Sequence, residues 1–468
     1  MVKLSRHIFP LLLCLALSVV KGYGNVGVSP LPSFKVMLDP GHGGKPERCS
    51  DRGGAHWDPY TKRFLNFYRY GVSQSHQGRK WDEHVIVLTL ARKIRKRLQL
   101  TQSEKNWPKF AQIVKRVTGV LPGKQAVFVE PILSRDNSYR DHPKKHEKHV
   151  NRFFRLFDSP EKFPYKDGDK LCPGRLTKMA WSKPHLLLCL HINGSSSAKA
   201  RGIHSLYAPS FQHFNAVRTA ILARKGFNAL TKGPIYRDWF KHNYTRSKLQ
   251  WMFNDSWTYF TGFGCNKTGG KVYTKTDIGI RQNDIGWAYR AKVRPKVRTK
   301  TLKGSLKGKY WDRERSEFES RRRSGGYEGY GGDNLYASQE LVRFVKSGLW
   351  RDYLQSPAAK KRKLTEKQYL GRNHRPTAAD WAVPLYSNAI VAFLEIGYLT
   401  NKKDFWILRN KLDIIADGLA VGVYSLFAGT KSMKMPKTSF KPRGRAIEWS
   451  AYGAKDGTTY FERVYLSP

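Results

Sequence analysis

Two short runs constrain the fold more than anything else in the chain. Leu186-Leu187-Leu188-Cys189-Leu190 and Ile390-Val391-Ala392-Phe393-Leu394 are apolar at every position. A strand with one face in water alternates apolar and polar residues. A run with no alternation belongs to a strand covered on both faces, the pattern of parallel sheets. Each run ends in a side chain with chemistry: His191 follows the first and Glu395 the second.

Other segments fit the same architecture. Phe34–Leu38 reads as a strand running into the turn-rich Asp39-Pro40-Gly41-His42-Gly43-Gly44. Trp81–Leu100 is predicted helical, with Val87, Leu90, Ile94 and Leu98 at spacings of three and four. Further strands are expected at Ala126–Leu133 and Gly202–Tyr207, and further helices at His146–Phe157, Asn334–Leu349 and Asp413–Phe427. Residues 45–80 read as a long loop and 351–380 as a basic connector. Strands alternating with helices predict an α/β fold: one twisted, mostly parallel sheet of about six strands, flanked by helices on both faces. Residues 208–330 carry no comparable pattern and read as a large basic insertion.

The ends of the chain extend this organisation. Lys3 and Arg6 precede the apolar run Ile8–Val20, and Gly22-Tyr23-Gly24 follows as a small-x-small site. This is the pattern of a signal peptide over residues 1–24, and it predicts export to the periplasm or the extracellular wall. No later run is long enough to anchor the chain in a bilayer. Residues 25–430 would form the catalytic domain, and 431–468 a basic extension with a hairpin across Asp456-Gly457. After cleavage four cysteines remain. Cys189, inside an apolar strand, is expected as a free core thiol.

Lys and Arg number 85 against 36 Asp and Glu, a net charge of +49. Such an excess calls for an anionic partner. For an exported chain that means anionic envelope polymers, and no specific nucleic acid is expected.

Three candidate metal ligands stand at element ends. His42 follows the first strand among glycines, Glu83 opens the strong helix, and His191 follows the buried strand and precedes Asn193-Gly194. Two His and one Glu are the ligand set of a catalytic zinc site with a fourth position open. Glu395 is costly to bury at a strand end without a partner or a task. Glu47, His56 and His76 lie between His42 and Glu83 and are alternatives to Glu83 as ligand; His84 is expected at the surface.

Several short words carry a resemblance. They are Leu38-Asp39-Pro40-Gly41-His42-Gly43-Gly44, Glu83 in its apolar helix, Leu133-Ser134-Arg135-Asp136, Leu190-His191-Ile192-Asn193-Gly194, Gly202–Tyr207 and Phe393-Leu394-Glu395-Ile396-Gly397-Tyr398-Leu399-Thr400-Asn401. In this order they resemble the motifs of the zinc-dependent N-acetylmuramoyl-L-alanine amidases, over roughly 34–207 and 334–428. The resemblance implies that His42, Glu83 and His191 bind Zn2+ and that Glu395 is the catalytic carboxylate. It implies peptidoglycan as substrate, with Asn193 and Arg135 as substrate-binding candidates and an activator protein as a further partner. Some relatives cover their metal with an inserted helix, and Glu340 is a candidate for such a plug. A zinc peptidase acting on another amide, an inactive envelope binder and a polyanion binder are the alternative readings.

Overall fold

The structure, a computed structural model, describes residues 31–43, 56–58, 63–65, 71–137, 159–160, 171–172, 175–182, 184–207, 332–372, 376–378, 383, 389–430, 433–434 and 438–449. In chain order the strands are β1 (Ser33–Pro40), β2 (His56–Asp58), β3 (Arg63–Leu65), β4 (Ser73–His76), β5 (Arg79–Asp82), β6 (Phe128–Leu133), β7 (Ser159–Pro160), β8 (Leu171–Cys172), β9 (Leu186–Asn193), β10 (His204–Tyr207), β11 (Thr377–Ala378) and β12 (Ile390–Tyr398). The helices are α1 (Glu83–Gln99), α2 (Trp107–Thr118), α3 (Arg175–Ser182), α4 (Gly332–Gln355), α5 (Pro357–Lys361), α6 (Glu366–Leu370), α7 (Lys402–Asn410) and α8 (Leu412–Ala428).

Six strands form the main sheet in the order β11-β10-β12-β9-β1-β6. All neighbours are parallel except β10, which runs antiparallel to β12. Leu186–Leu190 and Ile390–Ala392 are wholly buried, although successive residues face opposite sides. Both faces of the sheet are therefore covered, as the unbroken apolar runs predict. The helices α1, α4 and α8 pack together, and α1 and α4 also lie against the strands. The chain passes from β1 to β6 on one side and returns to β9 on the other. In sheets of this kind sites form beyond the carboxyl ends of the strands where the order reverses, here β1 and β9.

Four expectations change. The stretch read as a loop over 45–80 contains two hairpins, β2–β3 and β4–β5. The second turns on Gln77-Gly78, both with positive φ (52° and 72°). Its Ser73-Gln74-Ser75-His76 strand has no apolar face, so no period announces it. The connector at 351–380 holds the end of α4, then α5 and α6, the latter opened by a Thr365/Gln368 capping box. The helix α2 was not anticipated, although Phe110, Ile113, Val114 and Val117 face the core. The basic extension begins as part of the core: Phe440 and Ile447 are buried in it. The helix expected at His146–Phe157 and the hairpin across Asp456-Gly457 lie outside the described residues, as do residues 1–24 and 208–330. Among the described residues, no helix is long and apolar enough to cross a membrane.

Candidate metal centre

The site is assembled at the carboxyl ends of β1 and β9. Past Pro40, Gly41 N–H donates to Leu190 O at 2.8 Å, tying the loop after β1 to the end of β9. His42 then takes a left-handed backbone, φ 58°, which swings its ring toward β9. Glu83 starts α1 where the β4–β5 hairpin closes, its N–H donating to Val72 O at 2.9 Å.

Three donor atoms converge. His191 Nδ1 lies 3.1 Å from His42 Nε2 and 3.2 Å from Glu83 Oε1. His42 Nε2 lies 3.3 Å from the same oxygen. A tetrahedral zinc site with ligands at ~2.0–2.1 Å has donor–donor edges of roughly 3.3–3.4 Å. Lone pairs of two imidazoles and a carboxylate aimed at one point repel unless a cation sits among them. The donor set therefore fits a divalent metal with one position left for solvent or substrate. Among the described residues this is the one group of its kind.

The carboxylate of Glu83, 1% exposed, is fixed at both oxygens. Val72 N–H donates to Oε2 at 2.8 Å, and Ile192 N–H donates to Oε1 at 2.9 Å. Burial pushes its pKa up, but the charge of His42 and the hydrogen bonds of His191 and His42 outweigh this, and it stays well below the usual carboxylate range. Burial lowers the pKa of His191, partly offset by Glu83, which favours the neutral ring that a metal needs.

Two glycines make room. A Cβ on Gly41 would lie 2.5 Å from His191 Nδ1 and 2.6 Å from its Nε2. One on Gly71 would lie 3.0 Å from both Glu83 Oε2 and His42 Cδ2, and Gly71 has φ +89°. Gly71 carries no recognisable signal in the sequence.

A buried ionic layer supports the loop after β1. Asp39 accepts from Ser134 Oγ at 2.5 Å and from Arg175 at 2.6 Å, and all three are buried. Arg135, expected to contact substrate, has no exposed surface. Its guanidinium donates to the carbonyls of Pro40, Gly41, His84 and Asn137 at 2.8–2.9 Å. These bonds hold the His42 loop. Arg175 was not anticipated, because its partner Asp39 is distant in sequence. Cys189 is a buried free thiol, its pKa raised by burial and then by Asp39, hence chemically inert.

Glu395 sits on β12 in direct register with His191 on β9. It is 4% exposed, and its Oε2 has no hydrogen-bond partner among the described residues. Burial, then the charge of Glu83, raises its pKa well above the ordinary range. Asn193 lies two residues beyond His191, its Oδ1 accepting from Gly194 N–H at 2.8 Å.

The other candidates fall elsewhere. His76 Nε2 is 2.8 Å from Leu399 O and its ring stacks on Phe405, so it is not a ligand. His56 falls in β2 but its side chain, like Glu47, lies outside the described residues. His84 is buried, contrary to expectation, and burial with the nearby Arg135 charge lowers its pKa to about 4. Glu340 is no plug: its Oε1 accepts from the Arg443 and Gly444 N–H groups at 2.6 and 2.7 Å and pins the C-terminal segment to α4.

No protein-family profile and no curated protein matches the chain. Solved structures do. The N-acetylmuramoyl-L-alanine amidase from Clostridium difficile 630 is 12% identical, with 84% of this chain and 96% of that one covered and a TM-score of 0.28. The CwlD amidase from Clostridioides difficile, solved in complex with the GerS lipoprotein, is 10% identical over 83% and 96%, TM-score 0.31. The catalytic domain of the amidase CwlV from Bacillus (Paenibacillus) polymyxa is 11% identical over 83% and 96%, TM-score 0.27. At these values the likeness is one of general α/β architecture and carries no residue-level correspondence.

Proposed function

We propose that the chain is an exported zinc-dependent amidase that hydrolyses the bond between N-acetylmuramic acid and L-alanine in peptidoglycan. The observation that carries this reading is the convergence of His42, Glu83 and His191 within 3.1–3.3 Å, with Glu395 beside His191 on the next strand. The sequence words around these four residues supply the substrate class.

His42, Glu83 and His191 would hold the metal. When bound, zinc lowers the pKa of water from 15.7 to about 7, a difference on the order of 12 kcal/mol, and polarises a carbonyl. The residues of the chain do the rest. Gly41, Gly71 and Arg135 fix the ligands, so no reorganisation is needed as charge develops. Glu395, buried and with one oxygen unclaimed, is placed to take a proton from the attacking solvent and to deliver it to the departing amine of L-alanine. Without a metal its pKa is raised by burial and by the Glu83 charge; a cation held by the three ligands would lower it toward the range in which one carboxyl can accept and then return a proton. Asn193, the last residue of β9, and Arg135 are the substrate-contact candidates. The net charge of +49 would hold the enzyme near anionic envelope polymers, with strong salt dependence. A lipoprotein or similar activator is part of the same reading.

The test is digestion of purified peptidoglycan by the full chain with and without added zinc. The expected product is free stem peptide with a new L-alanine amino terminus, with about one zinc bound per chain and both lost in His42→Ala and His191→Ala. Glu395→Gln is expected to keep the metal and lose at least a hundredfold in kcat. Release of peptides cut elsewhere, or full activity in Glu395→Gln, would refute the assignment.

A further inference from the structure

The row of functional side chains does not end at Glu395. β12 lies between β9 and β10, and the same residue of β12 is registered on both sides: Glu395 faces His191 on β9 and His204 on β10. Residues directly opposite in an antiparallel pair project to the same face, with Cβ atoms about 4.5–5.5 Å apart. Parallel neighbours in register share a face as well. His191, Glu395 and His204 therefore stand side by side across three strands, with the carboxylic acid between two imidazoles.

Only one of these imidazoles belongs to the metal group. His204 is half-buried, and its ring lies nearly parallel to that of Tyr398, centroids 5.9 Å apart at 25°. Tyr398 follows a shift in the β12–β9 register after Glu395, which turns this part of the strand. The pKa of its phenol is raised by burial and then by the charges of Glu395 and Asp404. Phe393, two residues earlier on the same face, stacks on His191 at 4.5 Å.

We propose that His204 is a positioning residue for Glu395, resting on the amidase reading above. Glu395 is buried with Oε2 unbonded among the described residues, so hydrogen bonds alone do not fix its rotamer. An imidazole on the β10 side, backed by the Tyr398 ring, fills the space into which the carboxyl would otherwise swing. That would leave the carboxyl on the side of β9, the strand that carries His191. A displacement of 1 Å at a proton-transferring group is enough to cost a large factor in rate. A small side chain at 204 would open that freedom and leave the metal ligands untouched, because β10 contributes none of them.

The experiment is a double-mutant cycle on kcat, with zinc content, KM and thermal midpoint measured for every variant. His204→Ala is expected to lower kcat about tenfold, with KM within twofold and zinc content unchanged. His204→Gln, which restores bulk and a polar edge, should recover at least half of the wild-type kcat. In a Glu395→Gln background, read in single turnovers with excess enzyme, His204→Ala should have no further effect, since it acts through the carboxyl already removed. A His204→Ala variant with wild-type kcat overturns the proposal, as does an undiminished tenfold loss in the Glu395→Gln background. Failure of the amidase reading looks different: Glu395→Gln itself would stay fully active.

Discussion

Substituting Gly41 by Ala tests the metal centre through a residue that donates nothing to the metal. The added methyl would lie 2.5 and 2.6 Å from the two ring nitrogens of His191, and closer still to the carbon between them. Ordinary contact begins near ~3.5 Å, so the imidazole must retreat by about 1 Å. Ligand positions tolerate roughly 0.2 Å before a metal site degrades. The required movement is about five times that tolerance. The ring has little room to back away along its normal, because Phe393 stacks on it at 4.5 Å, and Gly41 is tied to Leu190 O at the strand end. Removing an outer support of a metal ligand typically costs 10–100-fold in affinity, and direct displacement should cost at least the upper end of that range. Overpacking adds about 1–3 kcal/mol of destabilisation, too little by itself to unfold a domain of this size. The assay is zinc retention during titration with a competing chelator, with the folded state verified by circular dichroism. Gly123→Ala is the control, since a Cβ there meets nothing within 4 Å. If Gly41→Ala binds zinc as tightly as the wild type, His191 does not stand where the donors converge, and the metal centre as described is wrong.

Three further outcomes follow from buried charge. Arg175→Met strands the Asp39 carboxylate in the core and should lower stability by about 3–5 kcal/mol in urea titrations, whereas Asp39→Asn with Arg175→Met together should recover part of that loss. Arg135→Met removes donors to four carbonyls and should loosen the His42 loop, read as faster amide exchange at Gly41 and as weaker zinc binding, with KM unchanged. Lys346 is 2% exposed, and burial, partly offset by Asp404 and Glu366, depresses its pKa to about 8 from 10.5. Between those values the unfolded chain holds the proton and the folded chain releases it, so stability should rise with pH across 8 to 10.5. The full cost, on the order of 3 kcal/mol, is present at neutral pH. Lys346→Met should therefore stabilise the protein at pH 7 and flatten that part of the pH profile; a profile equally steep in the variant would refute the assignment.

The elements legible in the sequence are those whose burial is complete. β9 and β12 announce themselves because every position must be apolar, and α1 because one face repeats every three or four residues. The donors His42, Glu83 and His191 were legible for a related reason. Each stands where regular structure begins or ends, and a polar residue there needs a purpose. Tertiary context hid the rest. Arg135 sits in a word that resembles a substrate-contacting segment, yet its guanidinium is spent on four carbonyls that sequence cannot locate. His84 looked like a polar neighbour of Glu83 on a basic helix, but the next position on α1 faces the packed loop. Gly71 reveals its function only when Glu83 and His42 are brought against it. The strap from Phe440 to Ile447 is basic in composition, and its two apolar residues matter only because α4 and α8 leave a groove for them.

The two carboxyl groups of the site are pushed in opposite directions, and that contrast assigns their parts in the proposed reaction. Glu83 and Glu395 are both buried, and burial alone would raise both. Glu83 receives two backbone N–H groups and lies against two imidazoles, so every change near it favours the anion. Glu395 has an unbonded oxygen and the Glu83 charge nearby, so every change near it favours the acid. An anion held by two backbone N–H donors carries protons poorly but can hold a cation; an acid with a free oxygen binds a cation poorly but can exchange a proton. A divalent ion among His42, Glu83 and His191 would also lower the pKa of Glu395 from its metal-free value, bringing it toward the range in which it can both accept and return a proton. Exchanging the two roles would require the N–H groups of Val72 and Ile192 to meet the other carboxyl, whereas both are bonded to Glu83. In the proposed reaction Glu83 is therefore the ligand and Glu395 the proton carrier.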